Sequence, residues 1–188
     1  IETSVATKEE LAEIVDAVMI LHRKGSIHLE SAEYFLNKGI PVWLDKPLCS
    51  SKEDADKLKA IVEKTKTLLS GGSTLRYDTN ACEAYNYVKS GELGNISGGV
   101  VNHNGDMESP YDGLYFYSPH VTEMMLNTFG YNPKTVKATK LDSKNISATV
   151  KYEDKLVTLN VNNYTYVPTI LVYGEKDDAV CEACEYQK

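Results

Sequence analysis

A lysine set between an acid and a proline closes the run Pro41-Val42-Trp43-Leu44-Asp45-Lys46-Pro47-Leu48. Its continuous apolar triplet is the pattern of a parallel strand covered on both faces. Pro47 has no N–H to give a sheet and pushes Lys46 towards extended geometry, so the strand must stop there. Asp45 and Lys46 are thereby placed at a strand's carboxyl end, the edge at which open α/β sheets bind their ligands. An ammonium in that position could donate a proton or anchor an anion. The plain alternative is a solvent-facing lysine beside a turn.

The other reactive residue types are more scattered. Cys181-Glu-Ala-Cys184 is a lone C-x-x-C, and Cys49 and Cys82 stand far from it. A zinc site needs about four ligands and a redox pair is expected after a strand at a helix start, so neither metal nor redox chemistry is expected. His28 lies on a helical stretch, where a satisfied polar group is the ordinary reading, and His22 and His103 read as structural or exposed. Arg76 is a candidate for an ion pair. The 13 tyrosines concentrate in 111–117 and 164–173, where they could line a sugar-like pocket, an oligomer interface, or both.

The elements that must position these residues fall into two textures. Thr7 with Glu10 forms a capping box for a helix running to about Ile14. Asp16 to Leu21 reads as a strand, Ser26 as the cap of a helix from Ile27 to Lys38 with Ala32, Phe35 and Leu36 inward, and Gly39 as its stop. Val42 to Asp45 completes a βαβ unit. A capping box at Ser50 and Glu53 starts a long helix to about Leu69, which Gly71-Gly72 breaks. Thr74-Leu75 is a candidate short strand, and Asn80 starts a helix that ends at Ser90-Gly91. From Ile96 the texture changes. Ile96 to His103 is a strand, a loop extends to Pro119, and a helix runs from His120 to Phe129. Beyond Lys134, alternation over 146–152, 157–161 and 167–173 predicts a mostly antiparallel sheet with one face covered. The boundary is expected near Gly71-Gly72, with a partial dinucleotide-binding domain over 1–72 and a substrate-binding and oligomerisation domain over 73–188.

Composition narrows the classes. At 188 residues with 42% hydrophobic and 25% charged content, the chain is that of an ordinary globular protein. A formal net charge of −7 without a basic stripe argues against a nucleic-acid partner. No apolar run approaches the roughly 20 residues that span a bilayer. The start Ile1-Glu2-Thr3-Ser4 is no signal peptide and has no initiator methionine. A cytoplasmic protein with reduced thiols, beginning inside a longer product, is the expectation.

Several landmarks in order resemble the glucose-fructose oxidoreductase / inositol dehydrogenase / rhizopine-catabolism (Gfo/Idh/MocA) family. They are Asp-Ala-Val-Met-Ile-Leu at 16–21, His28, Gly39-Ile-Pro-Val leading to Asp45-Lys46-Pro47, Arg76-Tyr77, the Gly91-Glu-Leu-Gly94-Asn-Ile96 turn, and His120. Their agreement in register over about 115 residues makes the resemblance specific. It implies the C-terminal half of a Rossmann-like parallel sheet, followed by an open, mostly antiparallel sheet with helices on one face.

By that resemblance Lys46 and His120 are the catalytic pair, and a histidine suits proton transfer to a substrate hydroxyl near neutral pH. It implies a cofactor, NAD or NADP, with Leu21, His28, Asp45, Lys46 and Arg76 near it, and Lys46, Asn102, Tyr117 and His120 near the substrate. The partners implied are a sugar, polyol or related hydroxy compound and a second copy, in a homodimer or homotetramer formed through the sheet face. Two departures stand out. Phe116 occupies the position of the aspartate that many members carry four residues before the histidine, with Tyr117 as a candidate replacement partner. The G-x-G-x-x-G that seats a cofactor pyrophosphate on a helix N-terminus has no counterpart, as though roughly 60 to 70 residues of the nucleotide domain were missing. The chain is therefore expected to be part of an NAD(P)-dependent oxidoreductase, with little catalysis on its own. The alternative is a non-catalytic relative that binds ligands or assembles.

Overall fold

The computed structural model describes residues 3–183, so Cys184 of the C-x-x-C lies outside the described residues. The chain divides into two compact units, Ile1–Gly72 and Ser73–Lys188.

In the first unit α1 (Lys8–Ala12) is held by the expected reciprocal capping box of Thr7 and Glu10. The strands β1 (Val18–Ile20), β2 (Val42–Leu44) and β3 (Leu69–Gly71) form a parallel sheet in the order β1-β2-β3. Between them run α2 (His28–Asn37) and α3 (Lys52–Thr65). Ala32, Phe35 and Leu36 face inward as their spacing requires, and pack with Val18, Ile20, Val42, Leu44 and Leu58.

Several boundaries differ from the sequence reading, each for a local reason. Ser26 does not cap α2; a 3-10 turn over Gly25–Ile27 leads into it, and the capping position is Ile27. The cap of α3 is Ser51, whose hydroxyl accepts from the Asp54 amide, one residue later than expected. That helix ends at Thr65, where Lys66 turns left-handed at φ 58°, so Leu69 belongs to a strand. The strand comes very close to β2. A Cβ on Gly71, whose φ is +154°, would lie 2.1 Å from the Leu44 carbonyl oxygen.

The second unit begins with a 3-10 turn over Thr74–Tyr77, where a strand was expected, and α4 (Thr79–Ser90) follows it. The cap of α4 is Asp78, whose carboxylate accepts from the amides of Asn80 and Ala81. Strand β4 (Ile96–Asn104) leads to α5 (Leu114–Phe129). This helix starts one and a half turns before the expected His120, with Pro119 inside it. Then come β5 (Thr135–Asp142), β6 (Asn145–Lys151), β7 (Leu156–Asn162), β8 (Thr169–Gly174) and β9 (Asp178–Glu182). They form a six-stranded sheet in the order β5-β6-β7-β4-β8-β9, antiparallel except for the parallel pair β4-β7.

Alternation along the strands gives the sheet two different faces. Val101, Val150, Val157, Val161, Ile170 and Val172 are buried in one core with Val121, Met124, Met125 and Phe129 of α5. The other face carries a polar row, one residue from every strand in register: Thr139, Ser147, Asn160, Asn102, Thr169 and Glu182. Among the described residues no helix is long and apolar enough to cross a membrane.

Leu36 is fully buried and Leu141 is 82% exposed. Replacing Leu36 by Ala removes transfer energy and leaves a cavity, at a cost of about 2–5 kcal/mol. Leu141→Ala should change stability by no more than about 0.5 kcal/mol. Urea unfolding of both variants checks the contrast.

Candidate functional site

In the first unit the carboxyl ends of β1 and β2 bring Leu21, Asp45 and Lys46 to one edge. Ile20 pairs with Leu44, and the Asp45 amide donates to the Ile20 carbonyl at 3.0 Å. The Lys46–Pro47 peptide is cis. Asp45 Oδ1 accepts from the Lys46 amide at 2.8 Å, which ties the carboxylate to the backbone of its neighbour. Burial pushes the Lys46 ammonium below the ordinary lysine range, Asp45 partly restores it, and Arg23 lowers it further. Leu21 is 61% exposed beside them. His28 is fully buried, and its Nε2–H donates to the His22 carbonyl at 2.8 Å. That hydrogen bond fastens the loop after β1, while Nδ1 of the same ring is buried with no hydrogen-bond partner.

The second unit assembles its own cluster around His120. His120 stacks on His103 with ring centroids 4.7 Å apart and planes inclined by 21°. The alternation Gly99, Val101, His103 puts the latter on the helix-covered face, where it is 4% exposed. Its Nδ1–H donates to the Asn104 carbonyl. His120 Nδ1 lies 2.7 Å from the Ser73 hydroxyl, and the Ser73 amide donates to Glu123 Oε1 at 2.9 Å. Glu123 also pairs with Arg76 at 3.7 Å, and Arg76 donates to the Tyr131 hydroxyl at 3.2 Å. Burial raises the Glu123 carboxyl above the usual carboxylate range, against the opposing pull of the Ser73 amide and Arg76.

The candidate substrate residues separate. Tyr117 lies one helical turn before His120, edge-on to Phe116 with centroids 5.0 Å apart. Asn102 projects from the face of β4 opposite to His103. There it donates to Thr169 Oγ1 at 2.8 Å and accepts from Asn160 at 2.9 Å within the polar row. Asn102 is thus not grouped with His120. Sequence reasoning missed Ser73, His103 and Glu123. Glu123 was findable as the residue three after His120, on the same helix face. His103 was findable as the continuation of the buried alternation of β4. Among the described residues no three His, Cys, Asp or Glu side chains are grouped for a metal ion.

Residues 2–73 match the sequence model of the Gfo/Idh/MocA oxidoreductase family, described by its NAD-binding Rossmann fold. The resemblance is shown there by sequence, and over nearly the whole chain by fold. A protein from Sinorhizobium meliloti 1021, assigned as a myo-inositol dehydrogenase, is 20% identical with a TM-score of 0.83, the match covering 94% of this chain and 61% of that one. The WlbA dehydrogenase of Chromobacterium violaceum, solved with NADH and UDP-GlcNAcA, is 18% identical at TM-score 0.76, over 96% and 63% of the two chains. The scyllo-inositol dehydrogenase of Lactobacillus casei is 18% identical at TM-score 0.77, over 92% and 58%. This chain thus spans about three-fifths of their length. No curated protein matches it by sequence.

Exposed Leu21 and partly buried Lys46 suit an apolar ring carrying a polar group, and no G-x-G-x-x-G turn occurs in the sequence to cradle a pyrophosphate.

A group whose folded pKa is raised gives stability that is fully present below its unfolded pKa, about 4.3, and lost as pH rises through the folded value. Glu123 is such a group. Glu123→Gln keeps a carbonyl oxygen for the Ser73 amide and has no carboxylate to ionise. Its stability relative to the parent should therefore be greater at pH 7 than at pH 4. Denaturant midpoints at both pH values measure this, and a constant difference would contradict it.

Proposed function

We propose that this chain is part of an NAD(P)-dependent oxidoreductase that moves a hydride between a nicotinamide and a hydroxy or keto compound of the sugar or polyol type. The observation that carries the reading is Lys46, held at the carboxyl edge of a family-matched Rossmann sheet with its ammonium destabilised by burial. The nicotinamide, when bound, supplies the two-electron chemistry. Leu21 would pack against it and Asp45 would orient near its ribose or ring, while His28 would act indirectly by fastening the loop that carries Leu21. A lysine whose charged form is disfavoured gives up its proton more readily, and it can stabilise a developing alkoxide. His120 would serve the proton of the substrate oxygen, with Tyr117 flanking it. Arg76 would act through Glu123 instead of through the cofactor.

The polar row supports a second copy as partner. It runs beside the more apolar residues Val100, Leu156, Leu171, Tyr173 and Val180, of which Val180 is 69% and Leu156 56% exposed. A face of this composition, duplicated about a two-fold axis, would bury its apolar half and pair its amides. Asn102 fits that role better than substrate binding. A ligand-binding or assembly module without catalysis is the second reading, supported by the exposed apolar residues beside the polar row.

Titrating NADH and NADPH into the protein while following nicotinamide fluorescence should give saturable binding. Folded protein that binds neither would leave only the assembly reading. With polyol substrates, His120→Ala should lower turnover about 10²–10⁴-fold while NADH binding persists. Sedimentation should show a dimer or tetramer, and a monomer at micromolar concentration would remove the sheet-face proposal.

A further inference from the structure

The acid–base reading of His120 leaves open which ring nitrogen carries the proton, and the inference drawn here rests on that reading. Ser73 answers the question by its hydrogen bonds. It is 1% exposed, its Oγ accepts from the Leu75 amide at 3.2 Å, and the same Oγ lies 2.7 Å from His120 Nδ1. A hydroxyl has one proton to give and two lone pairs to receive with. The Leu75 amide fills one lone pair. If His120 Nδ1–H filled the other, the buried Ser73 proton would have no acceptor, and a stranded buried donor is costly. The arrangement that satisfies every group has Ser73 O–H donating to an unprotonated Nδ1. Glu123 holds the serine backbone in this pose by accepting a hydrogen bond from its amide.

We propose that Ser73, held by Glu123, is the positioning residue that orients His120 and sets its neutral form with the proton on Nε2. A carboxylate at Nδ1 would impose the opposite tautomer, with Nδ1 protonated and Nε2 bare. With serine there, His120 offers a donor at Nε2 in both its neutral and its charged states. A donor is complementary to a carbonyl or alkoxide oxygen, so the ring recognises the keto form of the substrate. It polarises that oxygen as a neutral electrophile. Taking a proton from an alcohol at Nε2 would require Ser73 to break its bond to Nδ1. His103 stacks on the ring, and Arg76 pairs with Glu123 on the far side of the serine.

Long-range ¹H–¹⁵N correlation on ¹⁵N-histidine-labelled protein reads the tautomer directly, with His120 assigned by its loss in His120→Gln. At a pH where the ring is neutral, Nε2 should be protonated and Nδ1 should show the resonance of a hydrogen-bonded, unprotonated nitrogen. Ser73→Ala should move the Nδ1 resonance and Ser73→Thr should restore it. A protonated Nδ1 in the parent protein would overturn the proposal, as would a Nδ1 signal indifferent to Ser73→Ala. If Ser73→Ala does not fold, the parent tautomer and the threonine variant still decide. None of these signals requires turnover. Absence of nicotinamide binding would therefore remove the oxidoreductase reading and leave the tautomer result standing, and a Nδ1–H ring in an active protein would do the reverse.

Discussion

The seating of α5 on β4 is the contact from which the second unit takes its arrangement. Two residues of each element meet at the two ends of that contact. Phe129 lies where any side chain at residue 99 would be, since a Cβ on Gly99 would come within 2.4 Å of its ring. His120 lies over His103. Nine residues of helix rise about 13.5 Å and four residues of strand about 13 Å, so the two contacts are commensurate only if helix and strand run antiparallel along each other. The missing side chain at Gly99 lets the aromatic end of the helix settle onto the sheet. That in turn carries His120 to its partner. Glycine is required at this position by close approach, although its backbone is ordinary strand.

A consequence is that the two faces of one strand perform different tasks. Residues 99, 101 and 103 of β4 receive the helix, while Asn102 continues a row of polar side chains across all six strands. Asn160 donates to Asn102 and Asn102 donates to Thr169, so the amides satisfy one another along the row. Polar groups that are paired within a sheet face can be covered without being stranded. This makes the face compatible with burial against a partner in a way that a similar number of charged residues would not be.

Much of this was legible in the amino-acid order, and the failures have physical causes. The capping box of Thr7, the inward stripe of Ala32, Phe35 and Leu36, and the strand before Asp45 are local patterns, and the structure shows all three. The boundaries that moved were decided elsewhere. Lys66 ends α3 by turning left-handed, which non-glycine residues seldom do, so Gly71-Gly72 looked like the stronger stop. Pro119 looked like a barrier to a helix, yet α5 contains it, because a buried apolar face against the sheet outweighs one lost hydrogen bond. Lys46 and His120 could be singled out from their neighbours in the sequence, and the structure sets the first just past a strand's carboxyl end and the second against Ser73 and His103. Ser73 could not be singled out, because its importance comes from a contact across 47 residues.

The replacement at Phe116 then has a structural counterpart. Its ring joins an aromatic cluster, tilted against Tyr111 at 5.3 Å and edge-on to Tyr117 at 5.0 Å, and an aromatic ring cannot take a proton from an imidazole. His120 Nδ1 meets the Ser73 hydroxyl, on the segment before α4, where the resemblance led to the expectation of a carboxylate. Glu123 on the histidine's own helix holds Ser73 by its backbone, which steadies the hydroxyl against the ring. A hydroxyl there differs from a carboxylate in charge logic, because a carboxylate pairs with an imidazolium and a hydroxyl carries no charge to pair. The acid in the network has instead been set one bond away, on the serine amide and beside Arg76, where burial works against its ionisation. The Ser73 hydroxyl meets Nδ1 of the ring, and the Glu123 carboxylate stands behind that serine on its amide.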